Sequence, residues 1–151
     1  MNKENLLKQA FDEGRVPKSV TYCFLSQCPR QEECAHHLCF LANGERMGEG
    51  RAVFPSMLKD GSCQRFAPLR VARMAWGFDG LFREVKVKDA AKLRARMHEL
   101  LGSKGQYYRY KLGQMKLLPE QQAEVKRIFA SFGYENVEFD HFSDDIDFTK
   151  C

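Results

Sequence analysis

The 151-residue sequence contains no apolar run approaching the ~20 residues that span a bilayer, which sets aside a membrane-spanning helix. Its first stretch, "MNKENLLKQAFDEG", is polar and lacks the apolar centre of a secretory signal, so a cytoplasmic protein with no membrane partner is expected. There is no internal repeat and no low-complexity tract, which excludes solenoids and biased, unfolded segments. Nor is there a G-x-S-x-G elbow, a phosphate loop, an H-E-x-x-H helix or a paired-carboxylate site, so none of those enzyme classes is indicated.

What is present suits a globular protein. Hydrophobic residues make up 44% and charged residues 29%, with twelve Phe and five Tyr to build a core. This length fits one compact domain over residues 1–151, with sub-lobes 1–82 and 83–151. The net charge of +4 hides an uneven spread. Residues 1–63 carry eight basic and eight acidic side chains, 64–134 carry fifteen and six, and 135–151 carry one and six. A strongly basic middle ahead of an acidic tail points to a polyanion partner or an internal electrostatic contact.

Asn2 is placed to cap a first helix with Leu6, Leu7, Ala10 and Phe11 on one face, ended by Gly14 and Pro17. "SVTYCF" reads as a strand. Pro29 opens a second helix with Cys34, Leu38 and Leu41 on its stripe, stopped at Asn43-Gly44. "RAVF" reads as a further strand, and Cys63–Phe82 as a helix after Pro68 broken near Gly77 and Gly80. Asp89 is the expected cap of a helix carrying Leu93, Met97, Leu100 and Leu101, with Gly102 as its stop. Pro119 opens another, with Val125, Ile128, Phe129 and Phe132 on one face, and "NVEFD" reads as a last strand. The fold class is therefore α+β and α-rich: a cysteine-rich N-terminal lobe with short strands, then a helical lobe.

Cys23, Cys28, Cys34 and Cys39 fall within "YCFLSQCPRQEECAHHLC", and Cys63 follows. A reducing compartment disfavours structural disulfides, which leaves metal ligation and buried core thiols as the two main readings. Cys23, Cys28, Cys34 and Cys63 are the preferred ligand set, since Cys39 falls on another side of its helix from Cys34. Thiolate ligation suits zinc or an iron–sulfur cluster, and the residues do not choose between them. His36 and His37 are next in line as ligands, although a solvated helix surface is their default. A thiol enzyme using Cys28 or Cys34 with His37 ranks behind these, because it requires a depressed thiol pKa.

"LRARMHELLGSKGQYYRYKLGQMKLLPEQQAEVKRIFASFG" (residues 93–133) resembles part of a helix-turn-helix domain of the phage-repressor type. Ser103 stands at the cap of the second helix, Arg109-Tyr110 in its body, Gly113 after it and Lys116 in the following turn. The resemblance implies Tyr107 and Tyr110 packed inward near Met97 and Val125. Lys104, Gln106, Tyr108 and Lys111 would face out, and Arg109 would reach a phosphate or a guanine edge. It implies DNA as partner, Lys92, Arg94, Arg96 and Lys116 on phosphates, and a homodimer.

Cys28-Pro29, Cys34, Cys63, "YYRY" at 107–110, Gly113 and Gly133-Tyr134 together resemble a family of small uncharacterised bacterial proteins, a domain of unknown function. That resemblance implies no activity. The expected function is thus a regulator-like nucleic-acid-binding protein with a thiolate metal site of structural or sensing role. The alternative is a non-catalytic adaptor that meets an acidic protein. The acidic tail, Glu138–Phe148, is expected to lay Phe139, Phe142, Ile146 and Phe148 on the core with its carboxylates in water.

Overall fold

The computed structural model describes residues 2–151. Its architecture is α+β and rich in helix, with short strands in two-stranded sheets. The chain divides into two compact units. One is the chain through Val71 together with Asp145–Cys151, and the other is Ala72–Asp144. The division expected after Phe82 falls instead after Val71, and the last seven residues belong with the first unit.

In the first unit, α1 (Lys3–Asp12) starts where Asn2 Oδ1 accepts from the Asn5 N–H at 2.8 Å, and it buries Leu6, Leu7 and Ala10. Strand β1 (Thr21–Cys23) runs parallel to β2 (Arg51–Val53), with Tyr22 opposite Ala52 and Cys23 opposite Val53. Helix α2 (Ala35–Asn43) begins later than the expected start at Pro29. Residues 28–34 form successive tight turns instead, with Gln31, Glu33 and Cys34 N–H groups bonding carbonyls three residues back. Cys34 is consequently the extended N-cap residue and not part of a helical stripe. It is pinned there by Ala35 N–H to Ala67 O at 2.7 Å and Leu69 N–H to Glu33 O at 3.1 Å.

A small hairpin, β3 (Leu58–Lys59) with β4 (Ser62–Cys63), sets Leu58 opposite Cys63. Its turn is Asp60-Gly61, with φ of 52° and 75°. Two left-handed residues in succession match the right-handed twist of a hairpin, and Asp-Gly is a favoured pair for it. Leu6, Leu7, Val20, Tyr22, Ala35, Cys39, Leu69 and Ile146 make the unit's core.

In the second unit, residues 72–76 of β5 (Arg70–Trp76) run where a helix was expected. The burial there falls on adjacent Met74 and Ala75, which fits neither helical nor strand period and hid the strand. Ala75 exchanges both backbone bonds with Leu117, at 3.1 and 2.8 Å. A four-residue turn of helix, α3 (Asp79–Phe82), is capped from a distance: the Asp140 carboxylate accepts from the N–H groups of Asp79 and Gly80 at 2.9 and 2.7 Å.

Helix α4 (Val87–Leu101) starts before Asp89, whose expected capping role is not used. The Tyr134 hydroxyl accepts from the Lys86 N–H at 3.1 Å and donates to Asp89 Oδ2 at 2.6 Å, tying the helix start from outside it. Gly102, at φ 102°, turns the chain into α5 (Lys104–Lys111), whose cap Ser103 accepts from the Gln106 N–H at 3.1 Å. Pro119 opens α6 (Pro119–Ser131), which buries Val125 and Phe129.

The expected strand at 136–140 is absent: Val137 and Phe139 are buried, but the paired strand is β6 (His141–Asp147), hydrogen-bonded to β5. Asp145 is not in water as expected; it is 5% exposed and ion-paired with Arg15. No helix among the described residues is long and apolar enough to cross a membrane.

Candidate functional site

The four preferred cysteines come to one cavity from three local structures. Cys23 ends β1, Cys28 and Cys34 bracket the tight turns before α2, and Cys63 ends the β3–β4 hairpin. All four line one cavity of about 30 Å³, and all four are free thiols. Leu25, Val53, Phe54, Leu58 and Phe66 form its apolar walls, and Arg65 lies at its side. Burial pushes the Cys23 thiol up. A backbone hydrogen bond at Leu25 opposes that rise, while Cys34, Cys28 and Cys63 add to it as electrostatic neighbours. As they stand, no three His, Cys, Asp or Glu side chains among the described residues are gathered tightly enough to hold a metal ion. The thiols share a cavity without being drawn to one point.

Cys39 takes no part in this cavity. It is fully buried in the first unit's core, where burial raises its thiol to about 12. Cys151 neighbours Cys39 and is raised by burial to about 11. Neither thiol has the depressed pKa that a nucleophile requires.

The two histidines depart from the solvated default. His36 and His37 are 2% and 7% exposed, and both line the thiol cavity. His36 Nδ1 lies 2.7 Å from Thr21 O, and His37 Nδ1 lies 3.0 Å from Cys23 O. A carbonyl only accepts, so in the neutral ring each Nδ1 carries the proton and each Nε2 keeps a lone pair. The sequence signal was the His-His pair at the second and third positions of an apolar helix following a β-branched strand. Its value depended on where α2 begins, and that start was misread.

On the second unit, α5 is anchored by Tyr107 and Tyr110, buried with Met97 and Val125 in one core. Lys104, Tyr108 and Arg109 are exposed, and so are Lys92, Arg94 and Arg96 on α4. Lys111 is half-buried, with its Nζ 6.0 Å from the Tyr108 ring centre. Gln106 is half-buried, and its Oε1 is buried without a hydrogen-bond partner. Lys116 is drawn inward, its Nζ donating to Ser143 Oγ at 3.2 Å and lying 4.8 Å from the Trp76 ring centre. Burial raises the Tyr107 hydroxyl to about 12, with nearby Arg94 pulling the other way.

No curated protein and no solved structure matches this chain. A family model does match, over residues 1–148, and the chain belongs to that family, described as a family of unknown function, DUF6078.

Proposed function

We propose that this is a regulator-like nucleic-acid-binding protein whose first unit carries a thiolate site for zinc or an iron–sulfur cluster and whose second unit meets the polyanion. The observation that carries the nucleic-acid half is the division of α5. Two tyrosines bury one face, and Lys104, Tyr108 and Arg109 are left on the other. A short helix held rigidly by its aromatic side and offering cations and a ring on its free side suits phosphate contact and base-edge or stacking contact. Lys92, Arg94 and Arg96 extend the positive surface along α4. Gln106 is half-buried, and its Oε1 is covered without a hydrogen-bond partner, so Lys104, Tyr108 and Arg109 carry the reading.

The test is fluorescence anisotropy with a labelled mixed-sequence DNA duplex at 50 and 200 mM salt, set beside the K104A/R109A variant. Affinity is expected to fall steeply with salt, and the double variant to flatten the log–log salt slope by about two, one per lost phosphate contact. Absence of binding at the lower salt rejects the reading. Protein partners that survive nuclease treatment in a pull-down would favour the adaptor alternative instead.

A further inference from the structure

The thiol cavity carries a sharper statement than the choice between zinc and a cluster. We infer that it takes a single zinc-class divalent ion, on the sulfurs of Cys23, Cys28, Cys34 and Cys63, and that the ion is structural. This rests on the thiolate-metal half of the reading above.

Size is the first argument. A cavity of about 30 Å³ has room for a water or two, which suits one ion better than a cube of four irons and four sulfides. The donor set is the second. Four thiolates complete a tetrahedron and leave no open position for substrate, the arrangement of zinc sites that hold a fold together. The third is charge. As the ion binds, the four thiols release four protons to solvent, and a divalent ion with four thiolates carries a net charge of 2−. Cys34 stands at the N-terminus of nine-residue α2, where the helix dipole favours negative charge, and Arg65 supplies a cation at the wall.

The surroundings fit the same assignment. Apolar side chains line the cavity beside the sulfurs, Cys34 buried and the other three partly exposed. His36 and His37 have their Nδ1 atoms committed to β1 carbonyls, which fixes both rings against the strand that delivers Cys23. The four cysteines line the cavity together, and the ion is what would draw their sulfurs to a common point.

The experiment is elemental analysis of the full-length protein purified without a metal-affinity step, followed by cobalt substitution and by C28S, C63S and C39A variants. Circular dichroism accompanies each variant. One zinc per chain is expected, with sulfur-to-cobalt charge transfer and tetrahedral d–d bands after exchange. C28S and C63S should each lose the metal, while C39A, altering a core thiol outside the cavity, should keep it. Iron with acid-labile sulfide would overturn the single-ion inference and leave the thiolate-metal reading standing. Zinc retained by both serine variants would overturn the ligand set. No metal as purified, and none taken up on zinc addition to the reduced protein, would overturn both readings. DNA binding by the same sample is a separate result and decides only the nucleic-acid half.

Discussion

The two units are nearly equal in length and unequal in how they are held. The second has thirteen buried core residues, drawn from α4, α5, α6 and the segments around them. Among the described residues the first has eight, drawn from two helices of nine and ten residues, short strands and the segments around them. Five of the six cysteines among residues 1–71 and 145–151 come before Cys151, and four of these meet at one cavity. The contrast teaches that apolar burial organises the second unit on a larger scale than the first, which is where the proposed metal would add most. A small core closed by a metal is a familiar solution where too little apolar surface is available.

The largest effect that would break this comparison is metal removal. Treating the whole protein with a strong chelator under reducing conditions should abolish amide hydrogen-exchange protection across residues 2–71 and 145–151. Protection across 72–144 should persist, as read by mass spectrometry of peptic fragments. Uniform loss, or no change in either unit, would erase the distinction drawn here.

A core truncation works in the opposite direction. Phe129 is fully buried in the second unit, edge-on to Phe82 with ring centres 5.2 Å apart. Phe129→Ala should cost about 3–5 kcal/mol in urea unfolding of that unit. Metal content per chain should stay unchanged, because no cavity ligand lies in that unit.

The smallest effect is the pH dependence that Tyr107 gives the second unit. Tyr107 is raised from the ordinary 10 to about 12, mainly by burial. The folded state therefore holds this proton more tightly than the unfolded state does. Its contribution to stability is complete below pH 10 and is lost as pH rises toward 12. Ultraviolet titration of phenolate absorbance in the Tyr107→Phe variant should lack the latest-titrating step, and that variant should show a shallower loss of stability over the same interval.

Much of the second unit was legible because its helices announce themselves. α6 has a proline start and a stripe of Val125 and Phe129, and α5 has a serine cap with two tyrosines three apart. α4 was found but started late in the reading, since its start is organised by Tyr134 from far along the chain. Strand β5 was missed for the same kind of reason: its partners, Leu117 and strand β6, are distant, and its burial has no period.

In the first unit the four thiols could be picked out by elimination of Cys39, yet the route that brings them together was not visible. It depends on tight turns before α2, which the sequence reading had taken for helix, and on the Asp60-Gly61 hairpin. That hairpin did have a signal in its Asp-Gly pair. The buried histidines had none that could be separated from a solvated helix face until β1 was seen to accept from them.

X-ray absorption at the zinc edge of the protein as purified tests the central claim most directly. A first shell of four sulfurs at about 2.3 Å, with no metal–metal scattering, is the expected result. A shell dominated by nitrogen or oxygen, or a protein that reaches the beamline with no zinc to measure, would contradict it.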